Sequence, residues 1–457
     1  DTAARIFDYM WRYSYNLRGL YETPALPSQD AHVERDAADA IIARARGAGR
    51  TILTEIESKE ILSAYGIPTT RTRAACNEDE AVQLAEEIGF PVVLKIFSET
   101  ITHKTDVGGV RLNLQHAGAV REAYRAIAAS VGEKARPEDF LGVTVQPMVD
   151  VDGYELILGS SVDAQFGPVL LFGTGGQLVE VFQDKSLGLP PLNTTLAYRM
   201  MEQTKIFTVL KGVRGRKPIE TAALAELVVR FSQLVAEQRW IKEVDINPLL
   251  ASPERLLALD ARVLVYGPEV TADQLPAYAV RPYPIQYVSS WTMKNGEEIT
   301  IRPIRPEDEP LMVDFHQKLS ERSVYMRYFQ PLKLSQRTAH ERLRRICFTD
   351  YDREMVLVGE HRGKAETPQI VAVGRLSKLH RRDEAELAVL IHDSFQHLGI
   401  GTELFQRLIA IARAEKLRCL QSTVLAENRE MRAICQKLGF RMSADVEDGT
   451  VTALLDL

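Results

Sequence analysis

Six residues, Gln396-His397-Leu398-Gly399-Ile400-Gly401, constrain this chain more than any others. They stand between a strand-like, mostly apolar run, Ala385 to Ile391, and a segment from Gly399 to Lys416 whose Leu404, Phe405, Leu408, Ile411 and Ala412 recur at helical spacing. Two glycines at a strand-to-helix turn let the backbone approach a ligand closely. The free N–H groups of the first helical turn then face an anion, and a diphosphate suits that geometry without a charged side chain. A plain tight turn would read the same way, so the context decides.

The context is an ordered series of motifs. After the glycine turn and its helix come a strand at Cys419 to Leu425, then Asn428 with Met431 opening a helix, then Leu438-Gly439-Phe440. From Trp291 to Leu457 the chain resembles the GNAT acyltransferases. The resemblance implies a mixed, splayed sheet and an acetyl-CoA site whose pyrophosphate lies on the glycine turn. It assigns binding to Leu390, Ile391, Gln396, His397, Leu398, Gly399, Ile400, Gly401, Thr402 and Asn428.

An amine acceptor such as lysine is mostly protonated at neutral pH, so a base must take its proton, directly or through water. Glu386 is the candidate: alternation puts it on one strand face with Ala388 and Leu390, an apolar setting, and it matches the strand glutamate of lysine-acetylating members. Glu384, of the same parity at the strand's start, competes, and a mechanism without a side-chain base stays open. Many members carry a tyrosine after the asparagine motif to protonate the departing thiolate; here that position is Cys435, read as a packed residue. A thiolate leaving group scarcely needs an acid at neutral pH.

The first half carries a second constellation. A lysine, Lys95, sits in the strand Pro91 to Ile96, and His103-Lys104-Thr105-Asp106-Val107-Gly108-Gly109 follows. A point charge beside backbone donors suits a triphosphate. Further on come Gln146-Pro147-Met148-Val149, Gly153-Tyr154-Glu155, the glycines of Phe172 to Gly176, and finally Asn247 and Asp260, expected on adjacent strands. An Asn carbonyl and a carboxylate suit Mg²⁺, which keeps several waters and bridges phosphates. From Ala37 to Tyr266 these motifs resemble the ATP-grasp part of the ADP-forming acyl-CoA synthetases. The resemblance implies ATP or ADP bound by Lys95, His103, Gln146, Met148, Val149 and Glu155, with Asn247 and Asp260 on Mg²⁺ and His103 shuttling phosphoryl groups. The arginine those enzymes have after the glycine loop is missing from Asp184 to Leu192, as are their CoA-binding and phosphohistidine domains. A retained nucleotide site and a vestigial scaffold both stay open.

The whole chain therefore reads as α/β: a connecting segment over 1–36, a two-lobed ATP-grasp domain over 37–267, a proline-bearing linker over 268–290, and a GNAT domain over 291–457. Its 457 residues and net charge of −6 fit a multidomain globular protein and argue against a dedicated nucleic-acid binder. Neither a membrane span nor paired cysteines are legible, which places it in the cytoplasm. The aromatics between Phe7 and Tyr21, and Asp1 as first residue, suggest the C-terminal portion of something longer, with a synthetase-like CoA-binding region upstream; an ordinary terminal helix is the alternative. The fusion resembles the bacterial Pat-type protein lysine acetyltransferases, implying acetyl transfer from acetyl-CoA to a lysine of a metabolic enzyme such as acetyl-CoA synthetase, with the attached domain sensing nucleotide or acyl-CoA. An ADP-forming synthetase subunit and a non-catalytic acyl-CoA sensor are the rivals. A homo-oligomer stays open.

Overall fold

The structure is a computed structural model that describes residues 2–20, 33–101, 103–149, 152–176, 184–213, 215, 217–276, 278–362, 368–379, 383–445 and 448–457. The chain divides into two compact units, residues 26–282 and residues 283–457 together with 1–25. Helix α1 (Thr2–Leu20) exposes Phe7, Tyr9, Trp11 and Tyr13. Among the described residues no helix is long and apolar enough to cross a membrane, and all four cysteines are free.

The unit 26–282 opens with α2 (Arg35–Gly47) and α3 (Glu55–Ala64). Helix α3 begins at Glu55 because Thr54 caps it. The Thr54 hydroxyl accepts from Glu57 N at 3.2 Å while the Glu57 carboxylate accepts from Thr54 N at 2.9 Å. Next comes an antiparallel sheet of β1 (Arg73–Ala75), β2 (Val92–Phe97), β3 (Val110–Leu114) and β4 (Gly142–Pro147), in the order β1-β4-β2-β3. Helices α4 (Glu78–Ile88) and α5 (Ala117–Lys134) cover one face, where Val92, Leu94 and Ile96 meet Val120, Ile127 and Val131. Lys95, of opposite parity, is buried on the other face.

A larger sheet follows: β5 (Tyr154–Asp163), β6 (Gly167–Thr174), β7 (Lys185–Gly188), β8 (Ile241–Ala251), β9 (Leu256–Ala258) and β10 (Arg262–Val265). Its order is β10-β8-β5-β6-β7, with β9 also on β8. Helices α6 (Thr194–Glu202), α7 (Lys205–Leu210) and α8 (Thr221–Glu237) complete the unit, and α8 buries Leu224, Val228, Phe231 and Leu234. The strand expected to hold Asp260 is broken. β9 pairs with β8 at Leu249–Ala251 and β10 pairs with it at Ile241–Asp245, and between these stretches Pro248 has no N–H for the ladder. Asp260 therefore sits in the turn between β9 and β10, not on a strand.

The other unit is built on one sheet of β11 (Ser289–Thr292), β12 (Glu298–Pro303), β13 (Glu354–His361), β14 (Gln369–Lys378), β15 (Glu384–Ile391), β16 (Cys419–Leu425), β17 (Arg441–Asp445) and β18 (Thr450–Asp456). The order is β11-β12-β13-β14-β15-β16-β18-β17. One face carries α13 (Ile400–Ala414), whose apolar stripe packs with Leu387 and Val389. The other carries α9 (Glu309–Gln317), α10 (Glu321–Tyr328), α11 (Leu334–Arg337) and α12 (His340–Cys347), with Met312, Phe315 and Leu343 over Val356, Val358 and Leu390. Helix α14 (Arg429–Lys437) follows β16. Strands β15 and β16 run parallel and pair only at Glu384–Glu386 against Cys419–Gln421. Beyond Glu386 no pairing joins them, and the sheet opens.

Candidate functional site

That opening is a cavity of about 690 Å³. Of the residues expected to bind there, Leu390, Ile391, Gln396, His397, Gly399, Gly401, Thr402 and Asn428 line it, with Glu386. Leu398 and Ile400 do not: both pack into the apolar core. Gly399 takes φ +92°, a left-handed conformation that L side chains rarely adopt, and it caps α13. The helix N-terminus is thereby aimed at the cavity. Gln396 Nε2 donates to Ser323 Oγ at 3.0 Å and to Ile391 O at 3.3 Å. Asn428 Oδ1 accepts from Met431 N at 3.1 Å, so this side chain also caps α14.

Glu386 is half-buried, opposite Ser377 on β14 and Gln421 on β16. Its surroundings are not apolar as strand parity suggested. Helix α10 lays Arg327 against the same face, close enough for the two charges to interact. Glu384 lies outside the cavity and accepts from Arg418 Nη2 at 2.9 Å. Cys435 is fully buried, and burial pushes its thiol up to about 11, so it packs and holds its proton. Sequence reasoning missed the wall built by Arg322, Ser323, Met326 and Arg327. The i, i+3, i+4 spacing of the last three was the available signal.

In the unit 26–282, Lys95 belongs to a buried charge cluster centred on Glu55. Lys59 Nζ and Lys95 Nζ each donate to Glu55 Oε1 at 2.9 Å, and Lys104 Nζ lies 3.0 Å from Oε2. Lys59 also donates to Gln146 Oε1 at 2.8 Å, and Lys95 to Leu259 O at 3.2 Å. Lys104 holds both oxygens of Asp260, at 2.9 and 3.2 Å. Burial alone would raise the Glu55 carboxyl; the ammoniums of Lys95, Lys104 and Lys59 outweigh it and hold it well below the usual range. Lysines 95 and 104, Gln146 and Asp260 are thus brought together. Met148 and Val149 sit half-buried past β4, and Glu155 is exposed on β5. Asn247 Oδ1 accepts from Gly176 N at 3.0 Å, and residues 177–183 after those glycines lie outside the described residues. His103 is exposed and near enough to Asp245 to act on its carboxyl.

Asp245 was not singled out in the sequence, although it shares a strand face with Asn247. Burial raises its carboxyl to about 6; Arg262 opposes the rise, Glu243 and Asp260 add to it, and His103 opposes it. A carboxylate that folding desolvates costs stability once it ionises in the folded state. The cost is absent below the unfolded value near 4, grows between pH 4 and 6, and is complete above 6. We therefore expect Asp245→Asn to stabilise this unit by on the order of 2–3 kcal/mol at pH 8 and not at all near pH 3. Identical denaturant midpoints for variant and wild type at pH 8 would refute this.

For Mg²⁺ the residues offer two hard oxygen donors, Asn247 Oδ1 and the Asp260 carboxylate, the latter already on Lys104. No cluster of three or more acidic, His or Cys ligands exists among the described residues. Two protein oxygens suit an ion that takes its other ligands from water and phosphate.

Comparison with known proteins divides the chain in the same place. The ATP-grasp domain family matches residues 44–265, and the Acetyltransferase (GNAT) domain family matches residues 298–441. The chain is 41% identical over 225 residues to the acetate–CoA ligase (ADP-forming) I subunit beta of Pyrococcus furiosus, covering 49% of this chain and 96% of that subunit. It is 30% identical over 159 residues to an acetyltransferase of Pseudomonas aeruginosa, covering 35% of this chain and 83% of that one. A dinucleotide-forming acetyl-coenzyme A synthetase 1 of Ca. Korarchaeum cryptofilum, solved with coenzyme A and Ca-AMPCP, shows 40% identity and a TM-score of 0.48, over 50% of this chain and 100% of that one. The chain spans about a third of the length of the single-chain ligases it also matches.

Proposed function

Because the chain belongs over residues 44–265 to the ATP-grasp family that holds the acetate–CoA ligase β subunits, and over residues 298–441 to the GNAT acetyltransferases, we propose that this enzyme moves acetyl from acetyl-CoA to the ε-amine of a protein lysine. The observation that carries the reading is the cavity between β15 and β16, where Glu386 faces the same space as the glycine turn. The diphosphate of acetyl-CoA lies at the N-terminus of α13, and the thioester reaches Glu386 along the opened strand. The amine nitrogen bonds the thioester carbon, the carbon–sulfur bond breaks, Glu386 takes the amine proton directly or through water, and CoA leaves as thiolate. Buried Cys435 donates nothing, and the thiolate needs no donor at neutral pH.

The test is acetyl-CoA consumption by the full chain with a panel of lysine-containing proteins. Acetyl-lysine on one of them, formed in step with free thiol, is the expected result. Thiol release without any acetylated protein would sink the lysine acceptor.

The cluster around Lys95, with Asn247 and Asp260, serves as a Mg-nucleotide site in this reading, supported by the match to the ligase β subunit. Bound Mg²⁺ would neutralise phosphate charge there, while Lys95 and Lys104 supply cations. Asp260→Asn removes a hard anionic ligand, and calorimetry should show ATP binding weakened about tenfold, with binding to the wild type dependent on magnesium. If no nucleotide binds at millimolar concentration, this unit is scaffold. The same match favours a second reading, a subunit of an ADP-forming ligase; ADP formation on adding the complementary subunit would identify it.

A further inference from the structure

Arg327, Ala388 and Leu390 line the large cavity and also a second one of about 60 Å³. The smaller cavity is closed by His316 of α9, Arg342 of α12 and Arg375 of β14. Three polar atoms of its lining lack a hydrogen bond. His316 is 1% exposed and its Nδ1 makes no hydrogen bond; Nε of Arg342 and Nε of Arg375 are buried without one. Buried polar groups are nearly always paired, so three open ones around one space point to a ligand.

The charges are unbalanced as well. Arg375 pairs with Glu354, and Arg327 interacts with Glu386. Arg342 has no carboxylate among the described ion pairs; its guanidinium lies 4.7 Å from the Tyr328 ring, and that of Arg327 lies 5.2 Å from it. Burial, together with the charges of Arg342 and Arg337, pushes His316 down to about 4, so the ring is neutral at pH 7. Three guanidiniums thus face two carboxylates, which leaves one positive charge for a monoanion. The guanidinium fork matches a carboxylate. A water occupies about 10–15 Å³ of such space, so the cavity takes a carboxylate and a methylene or two, and a phosphate ester brings more charge than the site balances.

We propose that this cavity is a carboxylate subsite, taking the terminal carboxylate of a dicarboxylic acyl group carried on CoA or of a free dicarboxylate. The proposal rests on reading the larger cavity as the acyl-CoA site, because Arg327, Ala388 and Leu390 line both spaces and set the subsite directly behind the strand that holds Glu386. Transfer of such a group follows the same balance as for acetyl: the amine nitrogen replaces sulfur on the thioester carbon, Glu386 takes one proton, and the distal carboxylate is unchanged.

The test is calorimetry on the full chain with succinyl-CoA, acetyl-CoA and free succinate, for wild type and Arg342→Gln. Succinyl-CoA should bind the wild type about tenfold more tightly than acetyl-CoA. In Arg342→Gln that preference should vanish while acetyl-CoA affinity is unchanged, which also shows that the variant is folded. Saturable succinate binding lost in the variant, without preference between thioesters, would assign the subsite to a free dicarboxylate. Equal affinities for both thioesters and no succinate binding overturn the proposal. Absence of acetyl-CoA binding with succinate still bound would refute the acyl-CoA reading and leave the subsite standing.

Discussion

Glu386→Gln lowers acetyl transfer by about 10²-fold or more while acetyl-CoA still binds; this is the expected result of removing a general base. Lysine, with an ordinary pKa near 10.4, offers about one neutral amine in a few thousand at pH 7. Glutamine keeps the shape and accepts hydrogen bonds, but it cannot take the proton that amide formation releases. The loss should therefore fall on kcat rather than on acetyl-CoA affinity. Glu384→Gln is the matched control, because that carboxylate is tied to Arg418 outside the cavity and its loss should leave turnover close to wild type. Equal turnover of wild type and Glu386→Gln across pH 6–9 would remove Glu386 from the mechanism.

The second large effect is on stability. Glu55→Gln deletes the one carboxylate that Lys59, Lys95 and Lys104 share, leaving Asp260 as the remaining anion of the cluster. Glu55 is buried, and so are Lys59 and Lys95. Breaking a buried ion pair by removing one partner costs about 3–5 kcal/mol, because the surviving charges stay desolvated. We expect the denaturant midpoint of the unit 26–282 to fall accordingly. A change below about 1 kcal/mol would mean that water reaches the lysines and the cluster is not a sealed network.

How far the sequence carried depended on whether one element or several supplied the information. The glycine turn at Gly399 and Gly401 and the strand holding Glu386 were legible because period-2 and period-3.6 patterns meet within a dozen residues. Helices α10, α11 and α12 were not read: at eight, four and eight residues, they are too short for periodicity to show. The arginines they bring to the cavities were therefore invisible, and Glu386 looked apolar when only its own strand could be consulted. Glu55 and Lys59 escaped for a different reason. Spaced i, i+4 on a helix, they have the signature of a solvent-exposed pair, and only the approach of Lys95 from β2 and Gln146 from β4 makes the pair internal. Asp260 was legible as a residue but not as a position, because the break at Pro248 that sets it in a turn is a property of the paired strand.

The brief pairing of β15 and β16 has a consequence for how this sheet holds together. After Glu386, the backbone groups of β15 that point away from β14 belong to a strand in the middle of an eight-stranded sheet, yet, apart from Ile391 O, which accepts from Gln396 Nε2, no strand pairs with them, as at an outermost strand. An outermost strand is a template for anything that offers a matching row of amides and carbonyls. A linear molecule with peptide-like groups can therefore complete the missing half-ladder from inside the fold, where its ends are fixed by the helix N-terminus on one side and Glu386 on the other. Bound so, it acts as a stitch between the two halves of the sheet, and the halves gain a mechanical continuity that the polypeptide alone does not give them.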